Sequence, residues 1–248
     1  MQVLVIGDSC ADIYVYGECN RLCPDAPVPV FVPSCQKENK GMAGNVYQNL
    51  ISLGVPCVLK TNTNAVTKTR YVEESTNHLL IRIDSGEEHV SPLKNINKSF
   101  LKKFDAVIIS DYNKGFLSEE NIKYICENHD LVFIDTKKII GDFCKDVTFI
   151  KINKLEYKKS FEEFNNPCKS WAENKLIITA GSNGCSHKGK VYPVSKVEIR
   201  DSSGAGDTFL AGLVFDYLNN KDIEKAIEFA NRCSTQVVQQ KGVNAVSI

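Results

Sequence analysis

"DSSGAGDTFLAG", residues 201–212, sets a glycine, an alanine and a glycine directly before an aspartate and then opens an apolar run. Glycine tolerates the dihedrals that let consecutive backbone N–H groups converge on one point. The continuation, "GDTFLAGLVFDYLNN", reads as an amphipathic helix. Its unpaired first amides and positive dipole end face that same point. Gly204, Ala205 and Gly206 are therefore a candidate anion hole with Asp207 beside it. A carboxylate next to a phosphate site suits removal of a proton from an attacking hydroxyl. The alternative is that Asp207 caps the helix. No G-x-x-x-x-G-K-[ST] loop occurs anywhere in the chain, so the cradle is not of that type.

Outward from this motif, strand and helix patterns alternate. "QVLVIG", "PCVLK", "DAVIIS", "LVFID", "VTFIKI" and "NKLIITAG" are short apolar strands. "AGNVYQNLISLG" has helical spacing and stops at Gly54, and "SEENIKYICEN" starts with Ser118 and Asn121 as a capping-box pair. Apolar strands separated by helices imply a mostly parallel sheet covered on both faces, with ligands at the carboxyl ends of the strands. Two stretches depart from this pattern. Residues 26–34, "APVPVFVPS", are proline-rich and extended, and residues 67–84, "TKTRYVEESTNHLLIRID", read as a hairpin. Together they predict a small β-flap, because prolines suit edge strands. Residues 85–104 are a polar connection with a short helix, so the reading is one α/β domain over 1–248 with a lid.

The 248 residues carry 30 basic and 30 acidic side chains, which gives no basic excess for nucleic acid or an anionic membrane. "MQVLVIG" is too short to span a bilayer and lacks the features of a signal peptide. A cytoplasmic protein is expected. Ten cysteines show no secreted framework, and Cys19 and Cys23 form the only close pair, with no histidine nearby. Reduced thiols are expected.

Further motifs fall in order along the chain. Asp8 and Asp12 lie in "IGDSCAD", Gly41, Gly44 and Asn45 in "KGMAGN", Asp111 and Lys114 in "SDYNKG", and Asn153 and Glu156 in "INKLE". With the GAGD element, this set resembles the ribokinase-like family of sugar kinases over nearly the whole chain. Within it, "GDSCADIYVYGECNRLCPDAPVPVF", "TKTRYVEESTNHLLIRID" and "SDYNKG" look like the kinases that phosphorylate D-glycero-D-manno-heptose 7-phosphate at its anomeric carbon.

The resemblance implies a three-layer sandwich with a mostly parallel sheet and a β-lid, acting on ATP and Mg²⁺ as a carbohydrate kinase. Asp207 would be the base and Gly204–Gly206 the anion hole. Asp8, Asp12, Gly41 and Asn45 would hold sugar hydroxyls, and Asp111 and Lys114 would sit in a substrate-side loop. Asn153 and Glu156 would lie near magnesium and phosphate, with Glu156 acting on the metal indirectly. Thr179 and Gly181, in "ITAGSNG", would meet the nucleotide phosphates and ribose, and Asn231 the adenine. Lys68 and Arg70 would reach the substrate's own phosphate, since arginine grips phosphate in a bidentate way.

Simpler readings stand beside these. Asp8 is also placed to cap a loop, Asn153 and Glu156 to form a capping box, and Lys68 and Arg70 to be a solvated hairpin face. Fructose 6-phosphate, ribose or a nucleoside are alternative acceptors, and sugar binding with little turnover is an alternative activity. The apolar lid predicts a homodimer through it.

The chain also departs from the family. After "VPCVLK", "TNTNAV" leads almost directly into "TKTRY", so one β-α unit toward the sheet edge is missing. Met42 stands where many members have a second glycine. The residues contain no stretch resembling the nucleotidyltransferase of fused two-activity relatives.

Overall fold

The structure is a computed structural model that describes residues 1–163 and 166–247. The first strand is β1 (Val3–Gly7), whose five residues are all buried. Because side chains alternate across a strand, Val3 and Val5 enter one apolar cluster while Leu4 and Ile6 enter another on the opposite face. Val5 pairs in parallel with Leu59 on one side and Ile108 on the other.

The remaining strands are β2 (Ser9–Leu22), β3 (Pro29–Met42), β4 (Cys57–Thr61), β5 (Thr67–Glu73), β6 (His78–Ser85), β7 (Ala106–Asp111), β8 (Val132–Thr136), β9 (Phe149–Asn153), β10 (Leu176–Thr179), β11 (Cys185–His187) and β12 (Lys190–Tyr192). The helices are α1 (Ala43–Ser52), α2 (Lys98–Leu101), α3 (Glu119–Asn128), α4 (Lys154–Tyr157), α5 (Lys169–Ala172), α6 (Ala205–Asn220) and α7 (Ile223–Val237). The main sheet runs β12-β11-β10-β9-β8-β7-β1-β4 and is parallel from β10 to β4, with β11 and β12 antiparallel at one edge. Residues of α1, α6 and α7 pack into the cluster on one face. Residues of α2, α3 and α5 pack into the cluster on the other. This is the expected three-layer sandwich. Ser118 and Asn121 form the complete reciprocal capping box at the start of α3.

The lid is larger than the expected segments 26–34 and 67–84. It is a four-stranded sheet in the order β3-β2-β5-β6, so Ser9–Leu22 and the whole of Pro29–Met42 belong to it. Asp12 therefore lies within a strand. Burial along β2 alternates from Ser9 to Tyr14, with Cys10, Asp12 and Tyr14 inward. That alternation is hidden in the sequence because one inward residue is charged. The expected loss of a β-α unit is visible as a sheet that ends at β4, with five residues linking β4 to β5. Met42 precedes α1 at φ 58°, a left-handed conformation that explains why glycine suits this position. All ten cysteines are free. Among the described residues no helix is long and apolar enough to cross a membrane.

Candidate active site

Gly204 caps α6 in the left-handed region, at φ 78°, and a Cβ there would lie 2.5 Å from the side-chain nitrogen of Asn45. Only glycine fits this turn. The first intrahelical bond runs from the Thr208 N–H to the Gly204 carbonyl, so the amides of Gly206 and Asp207 have no helical acceptor. A Cβ on Gly206 would meet the Lys151 ammonium at 2.9 Å. Asp207 is buried and caps nothing: α6 has no side-chain cap. Its Oδ2 accepts from Asn45 Nδ2 at 3.1 Å and its Oδ1 from the Tyr112 hydroxyl at 2.7 Å. Burial pushes the Asp207 carboxyl up to about 6, and the hydrogen bonds from Tyr112 and Asn45 oppose that rise. Such a group is ionised at neutral pH yet basic enough to take a proton.

Tyr112 follows β7 and is held by its backbone. Its N–H donates to Asp8 Oδ2 at 2.8 Å, and the amides of Lys114 and Phe116 donate to the same carboxylate at 3.3 and 3.2 Å. Asp8 is thus the anchor of the 112–116 loop, the loop-capping reading made for it from the sequence. Asp111 holds neighbouring chain in a similar way. It is fully buried, accepts two 3.0 Å bonds from Lys138 and one of 2.5 Å from Thr136, and braces the strand ends.

Beside Tyr112 runs a chain of ion pairs. Lys151 and Lys137 meet Asp135 at 2.5 and 3.3 Å, and Lys137 also pairs with Glu156. Burial disfavours charge on Asp135, but Lys151 and Lys137 outweigh it and hold the carboxyl below the usual range. Removing one partner of such a buried pair costs roughly 3–5 kcal/mol.

On the lid side, Asp12 pairs with Arg70 across the adjacent strands β2 and β5. A Cβ on Gly41 of β3 would collide with Asp12 Oδ2. One Arg70 nitrogen is therefore engaged by Asp12. Lys68 lies 3.6 Å from Glu87 Oε1, and Lys114 bonds Glu87 Oε2 at 2.5 Å.

On the other side of the cradle is a cavity of about 440 Å³, within the range of small-molecule sites. Thr179, Gly181, Ala205, Gly206, Phe209 and Asn231 line it, so the three residues expected at the nucleotide share one wall system with the anion hole. Asn153 and Glu156 do not line it. They form a complete capping box on α4, with bonds of 2.9 and 2.8 Å, and the other Glu156 oxygen goes to Lys137.

Sequence reasoning missed Tyr112, Asp135, Lys137, Lys151 and Glu87. Tyr112 was visible inside "SDYNKG", between two residues that were singled out. The others carry no local signal.

The fold has counterparts among solved structures. In the nucleoside kinase of Methanocaldococcus jannaschii, an archaeal member of the ribokinase family, the fold matches with a TM-score of 0.72 at 17% identity, covering 99% of this chain and 94% of that one. Arabidopsis thaliana ribokinase, complexed with ribose and ATP, matches at 0.71 and 14%, covering 99% and 95%. The bifunctional protein HldE of Helicobacter pylori (strain Shi470) is 30% identical over 305 residues, and that of a Nitratiruptor species is 28% identical over 295. Both alignments cover all of this chain, which spans 65% and 63% of the length of those relatives. The model of the pfkB family of carbohydrate kinases matches residues 40–248, and the chain belongs to that family.

Proposed function

We propose that this chain transfers the γ-phosphate of ATP to the anomeric hydroxyl of D-glycero-D-manno-heptose 7-phosphate. The observation that carries the reading is Asp207, a buried carboxylate raised to about 6 beside a glycine cradle and next to a nucleotide-sized cavity. ATP lies in the cavity against Thr179, Gly181 and Asn231, with its γ-phosphate toward Gly204–Gly206. The sugar lies between Asn45, Asp12 and Tyr112. Asp207 takes the proton of the acceptor hydroxyl, the oxygen bonds to the γ-phosphorus, the bond from phosphorus to the β-phosphate oxygen breaks, and ADP leaves. Transfer of this kind depends on alignment and charge neutralisation. The Gly206 and Asp207 amides and the Lys151 ammonium supply part of that charge. The heptose 7-phosphate assignment draws on the HldE relatives and on the lid segments that resemble heptose kinases.

Among the described residues no three His, Cys, Asp or Glu side chains converge as a metal cage. That fits Mg²⁺, which keeps several waters and leans on nucleotide phosphates more than on protein. Glu156, already engaged at both oxygens, would act on it through water. When bound, the ion would neutralise charge on the β- and γ-phosphates.

The lid also supports a homodimer. Leu79, Leu80, Ile81, Ile83 and Val32 are exposed on a sheet with no helix of its own to cover it, and a second copy covers such a face by two-fold symmetry.

Sugar-dependent ADP release, scored over heptose 7-phosphate, fructose 6-phosphate, ribose and a nucleoside, tests the function. Heptose 7-phosphate is expected to give the highest kcat/KM. A better rate with any other acceptor refutes the substrate, and no sugar-dependent release with any refutes the kinase reading.

A further inference from the structure

The two oxygens of the Asp207 carboxylate are held in unequal ways. Oδ2 accepts from Asn45 Nδ2 at 3.1 Å, and Asn45 is itself locked in place. Asn49, fully buried, donates to the Asn45 side-chain oxygen at 3.0 Å and to its carbonyl at 2.9 Å. The Asn45 amide also reaches the Gly204 carbonyl at 3.4 Å. Moving Asn45 would break this buried network, so Oδ2 keeps its donor.

Oδ1 is held differently. Its donor is the Tyr112 hydroxyl at 2.7 Å, which among the described residues makes no other hydrogen bond. The Tyr112 backbone is pinned through its N–H to Asp8, so the side chain can turn away without disturbing the loop. The ammoniums of Lys137 and Lys68 stand 5.2 and 6.0 Å from the centre of its ring. Burial, with the Asp207 charge adding to it, holds the phenol well above its ordinary range. The group therefore stays protonated and acts as a donor, never as a base. A phenolic O–H at this distance stands where an acceptor O–H must stand for its proton to pass to Oδ1.

We propose that Tyr112 determines specificity against water: its hydroxyl occupies the proton-accepting oxygen of Asp207 in the empty site and gives way to the sugar hydroxyl, so that ATP is not hydrolysed while no sugar is bound. The inference rests on the kinase reading above. A water at Oδ1 would do to ATP what a sugar does. Asp207 would take one of its protons, its oxygen would bond to the γ-phosphorus, the bond from phosphorus to the β-phosphate oxygen would break, and ADP and inorganic phosphate would leave. Water gains at Oδ1 only the bond that it displaces and nothing that holds it in line. A sugar is held in line by its remaining hydroxyls, and their binding offsets the lost Tyr112 bond.

The test compares two rates, ADP release with ATP and Mg²⁺ alone and ADP release with saturating heptose 7-phosphate. Tyr112→Phe keeps the ring and removes the hydroxyl, and it should raise hydrolysis without sugar roughly fivefold, the weight of one hydrogen bond. Tyr112→Leu, which leaves room for a water beside Oδ1, should raise it at least as far. A residue that merely supports the fold would instead lower both rates together. Hydrolysis that stays level or falls in either variant, once circular dichroism shows that variant folded, overturns the proposal. Adding Asp207→Asn to Tyr112→Phe should abolish the gain, and a gain that survives it does not pass through the carboxylate and overturns the proposal as well. Absence of sugar-dependent ADP release from wild type with any acceptor would refute the kinase reading. Sugar-dependent release in wild type together with level hydrolysis in the variants would refute only the role of Tyr112.

Discussion

The two sheets of this molecule bury their residues in different ways. In β1, β7 and β8 every residue is buried, whereas in β6 every residue is exposed. The main sheet is sealed by helices on both faces and needs nothing else. The lid has long strands but little core of its own, essentially Tyr14, Tyr16 and Val72 with Val243 from the chain end. The two are tied at few points. Tyr14 reaches Asp201 at 3.4 Å, and Asn77 reaches the Arg200 carbonyl at 3.4 Å, both just ahead of the glycine cradle. In the proposed function, the main sheet presents the base and cradle to a lid that brings the binding groups. Chemistry should therefore be lost through the first region and affinity or association through the second.

The strongest test of that division is Asp207→Asn. Phosphoryl transfer should fall by about 10²–10⁴, the usual weight of a general base, while nucleotide affinity holds. Wild-type kcat/KM should decline as pH drops through about 6, where the Asp207 carboxyl takes up its proton. The same shift acts on stability with a definite sign. The folded value stands above the ordinary 3.8, so this group stabilises the fold most below about 4 and that contribution fades as pH rises through about 6. Asp207→Asn should therefore melt at or above the wild-type temperature at pH 8. A flat pH profile for wild type, or a variant with full turnover, removes Asp207 as the base.

Next in size is Ile108→Ala in β7, where a fully buried side chain leaves a cavity. Denaturant titration should register a loss of about 2–5 kcal/mol. A loss below about 1 kcal/mol would fall outside the usual range for a sealed core and mean that the main sheet is less tightly packed than it looks.

Tyr112→Phe probes the junction. It deletes one hydrogen bond worth about 1 kcal/mol. Because that bond holds the Asp207 carboxyl down, its loss should move the acid limb of kcat/KM to higher pH and leave the rate on the alkaline plateau little changed. A rate lowered equally at every pH would instead assign Tyr112 a purely architectural part.

The smallest effect on folding belongs to the lid. Ile81→Ala removes an exposed side chain, and monomer stability should stay within about 0.5 kcal/mol. Sedimentation at micromolar concentration should nevertheless show weaker self-association. A fully active wild-type monomer would sink the dimer proposal.

The same contrast governs how much could be read in advance. Strands buried on both faces are unbroken apolar runs, and the expected "QVLVIG", "DAVIIS" and "LVFID" each fall on a strand to within a residue or two. Of the lid strands, the β5–β6 hairpin was legible as residues 67–84, whereas β2 and β3 were not. β2 turns Cys10, Asp12 and Tyr14 inward, and β3 ends in the polar run "CQKENK", so neither carries a clean period of two. In the site, the legible residues were Gly204 to Asp207, Asn45 against Asp207, and Thr179, Gly181 and Asn231 on the cavity wall. Asp8 and Asp111 were assigned to the substrate side through the resemblance, and their bonds to distant loop and strand residues were not legible. Tyr112 and Asp207 are 95 residues apart, and Lys151 meets Gly206 only after two parallel crossovers bring β8 and β9 alongside β7. Such encounters are properties of topology and leave no mark on spacing.

The truncated edge of the main sheet has a consequence for amide hydrogen exchange. The N–H of Val3 bonds the Pro56 carbonyl, and the parallel register pairs Val3 with Cys57 and Val5 with Leu59. In that register the amides of Val58 and Lys60 face β1, while those of Cys57 and Leu59 face outward, where no strand follows β4 among the described residues. Deuterium should enter β4 in an alternating pattern, fast at Cys57 and Leu59 and slow at Val58 and Lys60, whereas β1, flanked on both sides, should resist it at every position.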